Sequence, residues 1–161
     1  MIDRRRLLAL IALAPAAALA QSPEPTKAQP ELKKEKLIIT TKDGVQHVFN
    51  VEMATDPMQQ ITGLMFRTSV PADGGMLFDW GVPRDSQMWM KNTLVPLDMV
   101  FINQDGTIRA IAENTVPESL AVIDSRGPVR ATLELQGGIT AKLGITVGDK
   151  VTQRIFGTAK G

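Results

Sequence analysis

The chain has no cysteine and only one histidine, His47. The first absence excludes disulfide exchange, thiol nucleophiles and every cysteine-based zinc or iron–sulfur site. It leaves the compartment open, because a domain of this size folds without covalent staples. A lone histidine cannot build the usual zinc set, and His47 falls on an apolar alternation beside Phe49, where it reads as a packed or edge residue. Neither G-x-G-x-x-G nor a Walker loop occurs, and no cofactor is expected. Ser86 and Ser125 lack a G-x-S-x-G setting, so serine hydrolysis has no motif behind it. Long apolar runs are missing too: residues 7–14 are apolar but too few to span a bilayer comfortably.

What is present begins with charge. The formal net charge is +1 over 161 residues, yet Arg4, Arg5 and Arg6 concentrate positive charge at the start and leave the remainder slightly acidic. Such a domain has no broad attraction for nucleic acid or anionic membrane, and no basic stripe or aromatic ladder interrupts that reading. The three arginines, the run Leu7–Ala14 and the small residues ending Ala18-Leu-Ala20 have the layout of an export signal. Paired arginines before two leucines also resemble a twin-arginine signal, so both export routes stay open. The expected organisation is a signal peptide over 1–20, a flexible Pro-rich leader over 21–35, one β-rich domain over 36–157 and a tail over 158–161. The mature domain is not expected to span a membrane, and its expected location is the periplasm or the exterior.

Within the domain, Lys36–Thr41 and the alternating stretch Val45–Met53 form a hairpin around Lys42-Asp-Gly44. Asp56-Pro57 starts a short helix with Gln59 at the capping-box position, and Met58, Ile61, Leu64 and Met65 are its expected inner face. Met76–Phe78 is a short strand, Trp80–Asp85 a loop, and Ser86–Met90 and Asp98–Ile102 strands flanking a polar corner stiffened by Pro96. Asn103–Gly106 turns into Thr107–Glu113. Ser125–Pro128 reads as a turn before the strand Val129–Leu135, residues 137–142 as one helical turn, and Lys150–Phe156 as the closing strand. About seven to nine short strands, one or two short helices and no βαβ rhythm predict a mainly β fold, a small barrel or folded-over antiparallel or mixed sheet.

Several of these segments form a recognisable series: Gly63-Leu-Met-Phe-Arg67, Gly75-Met-Leu-Phe78, Trp89-Met-Lys-Asn-Thr93, Pro96-Leu-Asp98, Ile111-Ala-Glu-Asn114, Leu133-Glu-Leu135 and Lys142-Leu-Gly-Ile-Thr-Val-Gly-Asp-Lys-Val151. In this order, over residues 37–156, they resemble the domain of unknown function 192 family. The resemblance implies a compact, exported, β-rich domain, commonly behind a signal peptide or lipidated start, and implies no activity. Without cysteine, the lipidated version does not apply here.

Arg67, Lys91, Asn92, Asp98, Glu113 and Glu134 all stand at ends or polar edges of apolar segments. Gathered around Trp89, the set Arg67, Lys91, Asn92, Asp98 and Glu134 would give an aromatic platform with charged and amide groups. That suits a small polar ligand, a sugar or a peptide terminus, bound without turnover. The competing structural reading makes Arg67–Asp98 or Lys91–Glu113 bracing ion pairs and buries Trp89 in the core. Two alternatives carry different chemistry. Asp98 and Glu113 could serve as a hydrolytic acid and base if their pKa values were pushed apart. Met88, Met90 and His47 could hold Cu(I), although methionine more commonly fills irregular core space.

The export reading is checked by intact mass. Cleavage after Ala20 gives a periplasmic product that begins at Gln21, whereas a membrane-associated product retaining Arg4–Arg6 contradicts it.

Overall fold

The structure, a computed structural model, describes residues 24–157; the expected signal peptide and tail lie outside the described residues. Seven strands follow in the order β1 Lys34–Thr40, β2 Gln46–Ala54, β3 Met76–Met88, β4 Leu97–Ile102, β5 Ile108–Ala112, β6 Ile123–Gln136 and β7 Lys150–Thr152. Two short helices, α1 Pro57–Thr62 and α2 Ile139–Leu143, and a 3-10 turn at Arg154–Phe156 complete the fold. The sheet order is β5-β4-β6-β3-β2-β1-β7, with β2 and β3 parallel and every other pair antiparallel. Its edges nearly meet: Thr107 bridges Lys150, Ile108 N donates to Asp149 O, and Val151 N donates to Gly106 O at 2.7 Å. Only glycine fits at this seam, since a Cβ on Gly106 would stand 2.5 Å from Val151 O and its φ is +84°. The mainly β, barrel-like fold expected from the sequence is the fold observed.

Strand alternation sorts the apolar residues into two layers. Leu37, Ile39, Phe49, Val51, Leu77, Val100, Ile102, Leu133, Leu135 and Val151 fill the barrel. Met76, Phe78, Leu97, Met99 and Phe101 face outward from the same strands and pack with Leu64, Val70, Met90 and Val129. The wall formed by β3, β6 and β4 is therefore buried on both faces, which is why β4 reads Leu-Asp-Met-Val-Phe-Ile with all six residues buried. Its cover is the parallel crossover between β2 and β3, comprising α1 and residues 63–75, together with the loop 89–96.

Asp98 is completely buried within that apolar strand. Its two neighbours, Leu97 and Met99, go to the outer layer, so its side chain goes inward. One oxygen accepts from the Asn114 and Gly138 amides, both at 2.8 Å. The other accepts from the Thr140 amide at 2.9 Å and the Thr140 hydroxyl at 2.6 Å. Four donors thus converge on one carboxyl, tying β4 to the loop after β5 and to the start of α2. Ile139 and Ile145, held by that tie, enter the interior cluster.

Several boundaries differ from expectation for identifiable reasons. Trp80–Asp85 is not a loop: β3 runs through it, paired with β6 and shifted in register between Asp79 and Arg84 and between Asp85 and Gln87. Pro83 sits in the first irregular stretch, where no ladder donor is required. Ser125–Pro128 likewise belongs to β6, in which Arg126 and Gly127 take positive φ and Pro128 stands opposite Asp85. β7 ends at Thr152, because the Gln153 side chain accepts from Ile155 N and caps the 3-10 turn. The capping box of α1 forms between Asp56 and Gln59, but the helix ends at Thr62. Met58 and Ile61 consequently stay 44% and 43% exposed, while Leu64 and Met65 after the helix turn inward. The leader lies against the domain: Gln29 Nε2 donates to Gln59 O and Gly63 O, and Leu32 N to Glu52 Oε2.

Asp98→Ala leaves four donors without their acceptor, and we expect it to lower stability by about 3 kcal/mol or more in urea unfolding. Asp98→Asn, which turns an amide donor toward one set of donors, loses a smaller but clear amount. A neutral result for both would show that the clasp is dispensable.

Candidate ligand cleft

On β6 the residues that alternate with the interior leucines are Arg130, Thr132 and Glu134, and all three are buried. They face the outer layer, so each needs a partner in a nearly dry wall. Arg130 has one in Asp79, with which it forms an ion pair. Thr132 has two: Trp80 Nε1 donates to its hydroxyl at 3.2 Å, and Ser86 Oγ lies 3.0 Å from the same oxygen. Glu134 has none. It is 5% exposed, stands opposite Met76 on β3 and Met99 on β4, and its carboxyl makes no hydrogen bond or ion pair among the described residues. Desolvation alone raises its pKa to about 8, so the group is predominantly protonated at neutral pH.

Glu134 lines a cleft of about 410 Å³ between the outer wall and its cover. Phe78 and Trp80 form one side, their ring centroids 5.7 Å apart. The Arg84 guanidinium lies 4.0 Å above the Trp80 ring. Gly63, Leu64 and Met65 line the side formed by the crossover, and Met88, Trp89 and Thr93 the side formed by the following loop. Gly63 is held close to Phe78: a Cβ there would lie 3.1 Å from the ring. Trp89 is 48% exposed, which overturns its placement in the core. Both tryptophans of the chain line this one cleft.

Of the residues expected to converge, the structure brings Trp89 and Glu134 to this cleft. Lys91 and Asn92 lie at the rim, lining a smaller hollow with Glu24, Pro25 and Met65. Lys91 pairs with Glu24 at 2.6 Å and stands 5.2 Å from the Trp89 ring centroid, so its expected pairing with Glu113 does not form. Asn92 adopts φ 55° and its carbonyl accepts from Phe66 N, joining the two covering segments. Arg67 does not pair with Asp98 either. It grips Glu52 with both terminal nitrogens, at 3.1 and 3.0 Å, beneath a separate polar hollow. Asp98 faces the barrel interior, and Glu113 is exposed after β5, so the two do not face one another across a common space.

The methionine–histidine set is dispersed as well. Met90 is fully buried and accepts from the Thr115 hydroxyl, Met88 lines the cleft, and His47 lies near the opposite end of the parallel β2–β3 pair. Ser86 and Ser125 are buried and bonded within the β3–β6 ladder: Ser86 N donates to Ser125 Oγ, which donates to Gly127 O. Among the described residues no three His, Cys, Asp or Glu side chains are placed to hold a metal, and no helix is long and apolar enough to cross a membrane. Trp80 and Arg84 were missed as site residues because the bulged middle of β3 looks like loop, and Phe78 because it reads simply as part of a short strand. The available signal was an aromatic followed four positions later by arginine, opposite an alternating strand.

Architecture and cleft define a class: a small, nearly closed β barrel carrying a ligand-sized cleft on its outer wall. The chain belongs to the uncharacterized family DUF192, whose model matches residues 38–153. It is similar to the crystal structure of a proposed transcription regulator from Sinorhizobium meliloti 1021, with 48% identity and a TM-score of 0.76. That match covers 80% of this chain and 99% of the other. A protein of unknown function from Novosphingobium aromaticivorans DSM 12444 is 38% identical, with a TM-score of 0.74, over 83% of this chain and 94% of the other. No curated protein matches the chain.

The raised Glu134 pKa sets the sign of a pH effect. Unfolded, the carboxyl loses its proton near 4.5; folded, it keeps it to about 8. Between those values the native state binds more protons, so stability falls as pH rises and levels off above about 8. Glu134→Gln removes that slope. We expect the variant to match the parent near pH 4.5 and to exceed it at pH 8.5 by on the order of a few kcal/mol in urea unfolding. Parallel stability profiles for the two proteins would contradict the assignment.

Proposed function

We propose that this is an exported binding module that takes a small organic ligand in the cleft lined by Phe78, Trp80, Trp89 and Glu134, without turning it over. The observation that carries this reading is the buried, unpartnered Glu134 carboxyl lining an aromatic cleft large enough for a ligand. A wall that closes itself with its own partners at Arg130 and Thr132, but not at Glu134, suits a site completed from outside. Catalysis has less support. Among the described residues no second acid or base lines the cleft with Glu134, Asp98 is committed to four donors, and Ser86 and Ser125 are bonded within the sheet. For the regulatory role proposed for the Sinorhizobium protein, the helices among the described residues are short for reading a groove, α1 having six residues and α2 five. Export rests on residues 1–20 and is tested by the mass measurement given above.

Because both tryptophans border the cleft, intrinsic fluorescence reports its occupancy. A panel of sugars, amino acids and dipeptides should contain a compound that shifts the emission saturably. Trp89→Ala should weaken that binding by about tenfold or more while lowering stability by less than about 1 kcal/mol, as befits a half-exposed side chain. If Trp89→Ala instead costs several kcal/mol and leaves binding intact, the ring is a structural residue and the cleft is not the site.

A further inference from the structure

Two charged-type side chains in the cleft meet no partner of their own. Glu134 is one. The other is Arg84, a solvent-exposed residue that lines the cleft, stacks on Trp80 and makes no hydrogen bond or ion pair among the described residues, with Glu134 or with any other group. The remaining polar groups are largely committed. Thr62 donates to Met58 O, Thr93 to Lys91 O, and the Gln60 amide to the Ala54 and Asp79 carbonyls. The cleft therefore offers an acid to a cation and a cation to an anion, at separate places in one space.

We propose that the cleft takes a zwitterionic amino-carboxylate, its ammonium seated on Glu134 among the aromatic rings and its carboxylate on Arg84. This rests on reading the cleft as a binding site and names the ligand class for it. The Phe78 ring attracts an ammonium, and the Arg84 fork, already oriented by stacking on Trp80, fits a carboxylate with two parallel bonds. Other ligand classes leave one half unmet. A sugar satisfies the acid by a hydrogen bond and gives Arg84 no counter-charge. A simple carboxylate answers Arg84 and leaves Glu134 buried alone, and a simple amine is opposed by Arg84. The volume, about 410 Å³, accommodates an amino acid or a dipeptide.

The proton follows from charge balance. Neutral Glu134 and an incoming ammonium become a carboxylate–ammonium pair, and one proton leaves to solvent. Other charges around Glu134 are spoken for. Arg130 on the same strand pairs with Asp79, Lys91 on the covering loop pairs with Glu24, and the flanking residues on β3 and β4 are Met76 and Met99. Arg84 is the one other charged residue lining the cleft.

The test is isothermal titration of the purified protein at pH 7 in two buffers of different ionisation enthalpy. The probes are glycine, leucine, 4-aminobutanoate, 6-aminohexanoate and dialanine, with butylamine, butyrate and glucose as controls. We expect at least one amino-carboxylate to bind with release of about one proton. E134Q, isosteric with the protonated acid, should abolish the release and weaken binding by about tenfold or more. R84Q should weaken the same ligand comparably while leaving the release in place. Butylamine binding as tightly as the amino-carboxylates, and unaffected by R84Q, overturns the proposal. Glucose or butyrate binding with no proton exchange overturns the ligand class while the cleft stands as a site. Silence from every probe here, with saturable tryptophan shifts for other compounds in the wider panel, likewise rejects the class alone; silence in both experiments rejects the cleft reading too.

Discussion

Burial of one sheet wall on both faces is the constraint from which the rest of this molecule follows. A strand covered on one side can turn its polar residues to water, but β6 has no such side over its second half. Its inward residues are apolar filler. Its outward residues Arg130, Thr132 and Glu134 are polar and dry, so each has to be matched within a few ångströms or remain uncharged. Asp79 matches Arg130, and Trp80 and Ser86 match Thr132. All three partners come from β3, whose register shifts fall between Asp79 and Arg84, where Trp80 lies, and between Asp85 and Gln87, where Ser86 lies. The bulges are thus part of how β3 meets β6.

The outer cover is attached by polar contacts rather than by a helix packed along its length. α1 is too short to bury much surface, and two of its apolar side chains remain half exposed. The crossover is instead pinned by the Arg67–Glu52 fork, by Phe66 N on the Asn92 carbonyl, and by the leader residue Gln29 on the Gln59 and Gly63 carbonyls. Glu52 also accepts from Leu32 N, so one buried carboxyl holds β2, the crossover and the leader together. A cover fastened at points leaves space between them. The cleft is one such space, bordered by the segments that these bonds position.

The sequence showed the fold class because strand periodicity and turn chemistry are local: the first hairpin, the Asp56–Gln59 capping box and the Asn103–Gly106 turn all form as read. It misplaced the middles of β3 and β6 because proline and glycine look like loop residues unless the opposite strand is known to bulge with them. It named Glu134 and Trp89 among six ligand residues but joined them to Asp98 and Arg67, which face other spaces. Position at the edge of an apolar segment is a local property, whereas the face on which an edge residue lands depends on register. Trp80 and Arg84 escaped notice for the same reason, since their stacking requires the bulge that the sequence does not announce.

Asp98 and Glu134 show how one kind of side chain serves opposite ends in neighbouring strands of the same wall. They stand one register step apart on β4 and β6, Asp98 opposite Leu135 and Glu134 opposite Met99, with their side chains on opposite faces. Asp98 points inward, where the loop after β5 and the start of α2 supply four donors, and it becomes a fixed joint between elements. Glu134 points outward among methionines and aromatic rings, where no donor is supplied, and burial holds its proton on to about pH 8. The difference lies in the surroundings rather than in carboxyl chemistry. A joint needs every acceptor position filled by the chain, because a missing donor would leave buried charge uncompensated. A binding group needs the reverse, an unmet valence facing accessible space. On that criterion Asp98, the more deeply buried and more heavily bonded of the two, belongs to the scaffold, and Glu134, left without a donor at the cleft, is the group on which the proposed binding role rests.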